Sequence, residues 1–516
     1  MSQTTPDVAS AVDGLTRICR TAARTYGVRM AFLAVRDREH GLDLIRTVAS
    51  AAGCPACRIT PSGLSTLDPA GGTWGEPHGA DFTAGQMLDE AQRRVGLVVL
   101  EQFIGQLQAG PAQVQGRSRL AELLAHQDTR PHGLVLVCME APEAESQIPE
   151  LIGGQVMRFR IGYPSCNELQ AIARDELARF SHQAGRAADP AQVRSDGDIL
   201  GEVLVGLTRK AARDLLRDGL AAAPGDLAAT RHFLGVRKSQ RLRDELAMEV
   251  LEPGGEADVP LGLENVMDFL AIQRPNLRKS GPDRARGILL AGPPGVGKTM
   301  IARAAGRITG LPVCVLRVGD LMNSLLGETE RRFNQAFDAA ASMAPVVLMI
   351  DEIEKAFGGS GSEIDGGTMQ RCTGALLSWL NDNDQPVFVI ATCNGVEQMG
   401  SAGLTMFRSG RIDEIFIADV PSPAARAAIW RRTLGEPGAV LADDLAADTH
   451  RFSGADIVAV ARLARARAAH EDQPLGRRHL DIEIARKRPR AETLYRDFEP
   501  LRRWGAANAV PAGLTV

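Results

Sequence analysis

Short apolar runs alternate with segments of helical periodicity along the first third of the chain. Five of these runs predict strands, at 30–35, 57–59, 97–100, 134–139 and 156–161. Amphipathic stretches such as 42–51 separate them. Residues 1–167 are therefore predicted to form an α/β domain.

Helical spacing replaces this alternation after residue 168. Segments 199–222 and 240–251 place apolar residues three and four positions apart, and the pattern predicts no strand there. We expect a helical subdomain at 168–252. The glycines and acidic residues of 253–260 then indicate a linker.

A stronger pattern begins at residue 261, where each apolar strand is followed by a helix. The predicted strands are 287–291, 313–317, 346–350, 387–392 and 415–418. Such strands are typical of a parallel sheet covered on both faces. Residues 261–421 are predicted to form this sheet, 422–490 a small helical lid and 491–516 a C-terminal tail.

Composition narrows the functional classes. Of the 516 residues, 44% are hydrophobic and 24% are charged, as in an ordinary globular protein. The net charge of -4 and the 4% aromatic content offer little to attract or stack nucleic acid, so that partner is not expected. No run reaches the roughly 18 apolar residues of a membrane span. Eight scattered cysteines are typical of a reducing compartment, and we expect a cytoplasmic protein.

The segment GPPGVGKT at 292–299 directly follows a predicted strand and precedes a helix. Its glycines allow backbone N–H groups to wrap a phosphate, and the helix N-terminus adds partial positive charge. Lys298 would bridge the β- and γ-phosphates of a triphosphate, and the Thr299 hydroxyl would ligate Mg²⁺. The motif predicts binding of ATP with Mg²⁺.

Two adjacent carboxylates end the apolar run VVLMIDE at 346–352. Side chains alternate along a strand, so the two acids need not share one task. Asp351 suits coordination of Mg²⁺, while Glu352 suits orienting and deprotonating an attacking water. An acid at the second position favours turnover over binding alone.

Polar residues accompany two further strands. Asn394 follows an apolar run, where it can hydrogen-bond a γ-phosphate or the attacking water, although taken alone it would also suit a turn. Arg408 and Arg411 precede the predicted strand 415–418, from which they cannot easily fold back to their own nucleotide. We expect them to neutralise transition-state charge at a neighbouring subunit's γ-phosphate.

The order of these motifs, followed by FSGAD at 452–456, resembles the AAA+ ATPase superfamily over 261–469. The strings LLGETERRF, APVVLMIDEIEKAFGGSGSEIDGGTMQR and FRSGRIDEIFIADVPSP resemble the ycf-type AAA proteins of plastids and bacteria. That family also carries an N-terminal domain similar to an AAA fold without its nucleotide site. Here no GK[ST] follows the strand at 30–35, and Glu101-Gln102 stands where an Asp-Glu pair is expected. We therefore expect a degenerate, catalytically silent first domain that acts as an adaptor.

The resemblance implies an α/β P-loop NTPase fold with a helical lid, and a homo-oligomeric ring of six that remodels a protein client. Asn394 would be the first sensor, and Gly454 and Ala455 would let the lid approach the adenine. The expected catalytic residues are Glu352, Lys298, Asn394, Arg408 and Arg411. The expected ATP-binding residues are Gly292, Pro293, Pro294, Gly295, Val296, Gly297, Lys298, Thr299, Met300, Gly454 and Ala455. The expected metal ligands are Thr299 and Asp351.

One departure from the family concerns the central pore. Threading AAA proteins place an aromatic residue before a hydrophobic-Gly pair, whereas this chain has Leu325-Leu326-Gly327. An aliphatic side chain grips an extended polypeptide less firmly. We therefore expect milder remodelling of a folded partner rather than unfolding by threading.

Alternative interpretations stay open. ATP can gate a scaffold in which hydrolysis only resets partner binding, and a DNA-associated loader or motor is a third function. Cys54 and Cys57 suit a redox or half-metal motif, or two semi-buried thiols. Segment 476–490 suits a nucleic-acid patch or a solvated helix face, and 358–367 a second pore loop or a disordered connection. We prefer the thiols, the helix face and the pore loop.

Overall fold

A computed structural model of the protein describes most of the chain from Val8 to Leu514. The parts it leaves out are 25–26, 69–71, 80, 108–111, 126–132, 150–153, 184–188, 252–254, 256–258, 323–327, 358–367, 400–410 and 436–439. The chain divides into two compact units after Gly235. Among the helices that the structure describes, none combines the length and the apolarity that a membrane span requires.

The first unit is built on a six-stranded sheet. Its strands are β1 Val28–Val35, β2 Ala56–Thr60, β3 Gly63–Thr66, β4 Gly96–Glu101, β5 Leu134–Glu140 and β6 Val156–Ile161. Their order is β3-β2-β4-β5-β1-β6, and every neighbouring pair is parallel except the hairpin of β2 and β3. All five predicted strands of this unit are present, and β3 is an additional edge strand.

Helices cover both faces of the first sheet. The helices of this unit are α1 Val8–Ala22, α2 Arg38–Ala52, α3 Ala84–Gln92, α4 Phe103–Gln106, α5 Ala112–Ala125, α6 Cys166–Gln183, α7 Pro190–Val203 and α8 Arg209–Ala222. Of these, α7 and α8 pack on α6. Successive residues Phe32 and Leu33 of β1 enter two separate apolar clusters, one on each side. Burial on both faces explains why the parallel strands are continuously apolar.

The second unit is built on a seven-stranded sheet. Helix α9 Leu227–Leu246 leads into it. The strands are β7 Met248–Leu251, β8 Gly287–Ala291, β9 Val313–Arg317, β10 Val346–Asp351, β11 Val387–Cys393, β12 Glu414–Ile417 and β13 Val510–Pro511. Their order is β13-β12-β8-β11-β10-β9-β7, and only β7 runs antiparallel to its neighbour.

The helices of the second unit fall into two groups. Those around the sheet are α10 Glu264–Gln273, α11 Met300–Thr309, α12 Val318–Met322, α13 Glu328–Ser342 and α14 Thr368–Asp382. Those after the sheet are α15 Pro423–Leu434, α16 Ala442–Asp448, α17 Gly454–His470, α18 Arg477–Asp497 and α19 Glu499–Asn508. Helices α15 to α18 enclose their own apolar cluster around the fully buried Trp430, and this bundle is called the lid below.

The two sheets share one strand order. In each sheet, five neighbouring parallel strands can be numbered by their order along the chain. Across either sheet, these strands then follow the order second, third, fourth, first, fifth. In the first unit these strands are β2, β4, β5, β1 and β6, and in the second they are β9, β10, β11, β8 and β12. The chain therefore has two α/β units of the same topology, which agrees with the predicted fold class.

Two sequence-based expectations about local structure differ from the fold. Segment 240–251 is not helical to its end, because Ala247 adopts a φ of 51° and β7 then pairs with β9. The predicted tail 491–516 forms the end of α18, α19 and the strand β13, which pairs with β12. Asn265 holds this terminal segment, since its backbone N–H donates to the Ala512 carbonyl at 3.0 Å.

Candidate active site

The loop between β8 and α11 lies at the carboxyl edge of the second sheet. Gly295 and Gly297 have φ values of 85° and 98°, which residues with a Cβ rarely adopt. A Cβ on Gly292 would lie 2.3 Å from the Ala418 carbonyl oxygen. These glycines permit a tight loop that leads into the α11 N-terminus, where backbone N–H groups and the helix dipole attract phosphate.

Lys298 lies within this loop and is 7% exposed. Its Nζ donates to the carbonyl oxygens of Gly292 and Pro293 at 2.6 and 2.9 Å, and to Oδ1 of Asn394 at 2.8 Å. Burial lowers the pKa of Lys298 to about 8, and Glu354 is the neighbouring carboxylate that opposes this shift most. The ammonium group is thus held among oxygen acceptors at the place where phosphate oxygens would enter.

The carboxylates at the end of β10 meet Thr392 of β11. The Thr392 hydroxyl donates to Asp351 Oδ1 at 2.6 Å and accepts from the Glu352 backbone N–H at 3.1 Å. Glu352 has a φ of 56°, so the chain turns sharply there. Its carboxylate is 41% exposed and pairs with Lys355. Asp351 is therefore fixed by a neighbouring strand, whereas Glu352 is accessible from solvent.

Thr299 and Asp351 supply oxygen atoms of the kind that Mg²⁺ prefers. The Thr299 side chain is exposed and makes no capping bond at the start of α11. Thr392 contacts Asp351 through Oδ1, and among the described residues no hydrogen bond to its Oδ2 is found. Two protein oxygens with room for water and phosphate suit Mg²⁺, which keeps several waters when it is bound with a nucleotide. The residues present therefore fit the metal.

The N-terminus of α17 lies directly on the phosphate loop. The backbone N–H of Ala455 donates to the Gly295 carbonyl at 3.0 Å. A Cβ on Gly295 would come within 2.9 Å of both the Ala455 Cβ and the Ser453 hydroxyl oxygen. Ser453 also caps α17 through a capping box with Asp456. The lid residue Ala455 thus contacts the loop, and the expected approach of Gly454 and Ala455 to the adenine stays a prediction.

Arg411 lies at the other end of the sheet. Asp413, two residues on, donates its backbone N–H to the carbonyl of Gly287, the first residue of β8, at 2.8 Å. The phosphate loop follows the last residue of β8, so about 13 Å of strand separates the two positions. Arg411 shares a cleft with Arg284 and Arg286 at this amino edge. It does not join the residues around Lys298.

Three predicted features lie outside the described residues. They are Arg408, the pore position Leu325 with the two residues after it, and the Gly-rich segment 358–367. These three stay predictions.

The equivalent edge of the first sheet has no phosphate loop. Only Arg36 and Asp37 separate β1 from α2, whereas residues 292–299 separate β8 from α11. Arg38 Nε donates to Glu101 Oε2 at 2.6 Å, and the buried Arg36 pairs with Glu143. Gln102 follows β4 with a φ of 54°, just as Glu352 follows β10. Ion pairs between the unit's own side chains therefore lie where the second unit has its phosphate loop.

The helices after the first sheet approach this edge as the lid approaches the phosphate loop. Thr208 caps α8, and Arg209 is the next residue. The Arg209 backbone N–H donates to Asp37, and its guanidinium pairs with both Asp43 and Glu168. One arginine thus ties α8 to α2 and to the start of α6.

Sequence reasoning missed three residues around the site. Thr392, Lys355 and Glu354 contact Asp351, Glu352 and Asn394 respectively. Glu354 carried the clearest signal, because it is an acid two residues after Glu352 in the run DEIEKAF. Lys355 and Thr392 read as ordinary polar residues at the end of a strand.

The cysteine pair and the basic segment both make contacts within the chain. The Cys54 thiol is hydrogen-bonded to Cys19 rather than to Cys57, and burial raises the pKa of Cys57 to about 11. In the described part of the chain, no group of three or more His, Cys, Asp or Glu side chains can hold a metal ion. In 476–490, Arg477 and Arg486 pair with acids of α18. The charges of these two arginines are thus partly compensated within the helix.

Comparisons with known proteins agree with the geometry of the second unit. Residues 288–420 match the family described as "ATPase family associated with various cellular activities (AAA)". The "Uncharacterized AAA domain-containing protein ycf46" of Guillardia theta is 30% identical over 282 residues, 53% of this chain and 55% of that protein. Its counterpart in Trieres chinensis is 30% identical over 323 residues, 61% of this chain and 63% of that protein.

A human protein is similar over a smaller share of its own length. The "ATPase family gene 2 protein homolog A" of Homo sapiens is 31% identical over 256 residues, 48% of this chain and 28% of that protein. The chain thus spans little more than half the length of the two ycf46 relatives.

Proposed function

We propose that this chain, which is similar to the ycf46-type AAA proteins, hydrolyses ATP in a ring of identical subunits and uses the turnover to remodel a protein partner. A ring of six and a cytoplasmic location are part of the proposal. The observation that carries it is the placement of two complementary parts on opposite edges of one sheet. Lys298, Asp351 and Glu352 lie at the carboxyl edge, and Arg411 lies at the amino edge.

The residues at the carboxyl edge suit hydrolysis of the γ-phosphate. Lys298 binds the β- and γ-phosphates, and Asn394 orients the attacking water. Glu352 takes the water proton as the oxygen attacks the γ-phosphorus and the bond to the bridging oxygen breaks, releasing ADP and phosphate. Mg²⁺, when bound through Thr299 and Asp351, supplies positive charge beside the same phosphates.

The amino edge suits a contribution to the next subunit. Arg411 is about 13 Å of strand away from its own phosphate loop, so its guanidinium serves a different site. In a closed ring of head-to-tail contacts, the amino edge of one subunit can face the carboxyl edge of the next. A guanidinium placed there stabilises transition-state charge and contributes about 1,000-fold or more in related enzymes.

Mixing two inactive variants tests this arrangement. Glu352→Gln and Arg411→Ala should each turn over ATP poorly when assayed alone. In a mixture with equal amounts of the two, random assortment leaves about a quarter of the interfaces with both an intact glutamate and an intact arginine. We therefore expect recovery of activity on mixing. Absence of recovery in preparations that exchange subunits contradicts action between subunits.

The scaffold alternative makes a different prediction for the partner. A remodeller's turnover should rise when its client is added, and the client should be released or altered only when ATP is hydrolysed. A scaffold should bind its partner with ATP in the Glu352→Gln variant and give the same product as the wild type. Pull-down with the Glu352→Gln protein held in ATP supplies the partner for this comparison.

We also propose that the first unit is a catalytically silent adaptor. The two-residue connection of Arg36 and Asp37 is too short to wrap a phosphate, and Glu101 is committed to Arg38. Calorimetric titration tests this, because we expect one ATP per chain in the wild type and none in Lys298→Ala. Residual stoichiometric binding in Lys298→Ala contradicts a silent first unit.

A further inference from the structure

Glu354 is a buried carboxylate beside the candidate active site. It lies in the 3-10 turn Ile353–Ala356 that follows Glu352, and it is 4% exposed. Its Oε1 accepts from the backbone N–H of Asn394 at 3.1 Å and from the side-chain Nδ2 of Asn394 at 3.0 Å. One carboxylate oxygen therefore fixes Asn394 at two points.

These contacts determine which way the Asn394 amide faces. An ionised carboxylate only accepts hydrogen bonds, so the group that faces Glu354 is the NH₂ of the amide. An ammonium group only donates, so the group that faces Lys298, at 2.8 Å, is the carbonyl oxygen Oδ1. The two partners agree, and the acceptor end of Asn394 is directed toward the phosphate loop.

We propose that Glu354 is the positioning residue that holds Asn394 with its acceptor oxygen facing the reacting groups. This inference rests on the proposed function, because it concerns the attacking water of ATP hydrolysis. A carbonyl oxygen cannot hydrogen-bond an unprotonated phosphate oxygen, since neither supplies a proton. It can accept one O–H of the attacking water while Glu352 accepts the other. Glu354 thus decides that Asn394 acts on the water rather than on the γ-phosphate.

The first unit provides an internal comparison. Gln102 follows β4 with the same positive φ as Glu352 after β10, so Ile104 takes the place of Glu354. The first residue after β5 is Ala141, which takes the place of Asn394. At this point the first unit has an apolar residue, and the Ile104 backbone N–H donates to Oε1 of Glu140 in β5 at 3.1 Å, so the carboxylate beside this turn comes from the strand. Both members of the pair are present in the unit with the phosphate loop and both are missing in the other.

The energetics also favour a role beyond folding. A buried carboxylate loses its hydration, and this lowers the stability of the folded protein unless hydrogen bonds compensate. Here Oε1 of Glu354 accepts from the two donors of Asn394, and the carboxylate also hydrogen-bonds the Cys393 thiol. Through its two bonds to Asn394, Glu354 fixes the orientation of the Asn394 side chain.

A double-mutant cycle between Glu354 and Asn394 tests the proposal. Glu354→Ile copies the residue of the first unit and removes the acceptor without leaving a large cavity, and Glu354→Ala is the second variant. We expect either change to lower kcat by about 10- to 100-fold while the Kd for ATP changes by less than about 3-fold. Glu354→Gln keeps an acceptor oxygen and should recover much of the lost turnover.

The cycle distinguishes positioning from a general structural role. If Glu354 acts through Asn394, the Glu354→Ile, Asn394→Ala double variant should be no slower than Asn394→Ala alone. Losses that multiply in the double variant overturn the inference, as does a Glu354→Ile protein with wild-type kcat. A wild-type protein that shows no ATP turnover contradicts the proposed function instead, so the two failures are separate.

Discussion

The backbone N–H of Ala455 donates to the carbonyl oxygen of Gly295 at 3.0 Å, which joins the lid directly to the phosphate loop. The same glycine has no room for a side chain, because Ala455 and Ser453 both lie within 2.9 Å of where its Cβ would be. Movement of the lid and the shape of the loop are therefore linked through one residue. We expect a nucleotide bound at the phosphate loop to contact the lid as well.

Gly295→Ala should weaken ATP binding. The substitution combines a φ of 85° with a Cβ that pushes the α17 N-terminus away, so we expect the Kd for ATP to rise by about 10-fold or more. Isothermal titration measures this. Gly374→Ala in α14 is the matched control, since nothing lies within 4 Å of its Cβ position. That control should bind ATP as the wild type does, and equal affinity in both variants would rule out the linkage.

Lys238 should make stability depend on pH. It is a buried residue of α9, and burial lowers its pKa from 10.5 to about 8. Between pH 8 and 10.5 the folded protein binds fewer protons at this residue than the unfolded chain, so stability rises with pH there. Burial also raises the pKa of the neighbouring Cys314 to about 11, which lowers stability above pH 9. The free energy of unfolding should therefore increase with pH between about pH 8 and 9.

Lys238→Met should reduce that rise and leave the share that comes from Lys298, whose pKa burial also lowers to about 8. At pH 7 the lysine is buried as a charge, so the variant should be more stable than the wild type by about 1 kcal/mol or more. Denaturant unfolding at pH 7, 8 and 9 checks both effects. The exposed Lys210 provides the control as Lys210→Met, which should leave the pH dependence unchanged. A wild-type curve that is flat from pH 8 to 9 would contradict the assignment.

Arg209 should stabilise the first unit without affecting nucleotide binding. Its guanidinium pairs with Asp43 and Glu168, and its removal leaves two partly buried carboxylates without that partner. We expect Arg209→Ala to lower the free energy of unfolding by about 1 to 3 kcal/mol. Calorimetric unfolding and ATP titration of the same sample measure the two properties. Arg93→Ala removes an exposed ion pair with Glu90 and should change stability by less than about 0.5 kcal/mol. A similar loss in both variants would argue against a special role for Arg209.

The parallel strands could be predicted from sequence because both of their faces are buried. Successive residues such as Phe32 and Leu33 are buried on opposite faces, so the strand is a continuous apolar run. The missed strands β3, β7 and β13 are short and lie at the outer edges of the sheets. β13 has only two residues, Val510 and Pro511, which are too few to show a strand period. Their pairing depends on neighbours that are distant along the chain.

The same distinction applies to the candidate site. The phosphate loop was predictable because its chemistry requires glycines, Lys298 and Thr299 in one contiguous run. The roles of Thr392 and Glu354 depend on contacts made only when β11 lies beside β10. Glu354 lies close to the predicted catalytic pair and Thr392 lies within β11, but the sequence around either residue does not indicate its partner. Contacts of this kind become visible only in the folded chain.

The most direct test of the central claim measures ATP binding and ATP turnover on the same preparations of wild type, Lys298→Ala and Glu352→Gln. We predict that the wild type binds and hydrolyses ATP, and that Lys298→Ala loses binding. Glu352→Gln should bind ATP within about 3-fold of the wild-type Kd and lose at least about 100-fold in kcat, because it retains the phosphate loop and lacks the base. Turnover by Glu352→Gln at a rate close to that of the wild type would contradict the claim.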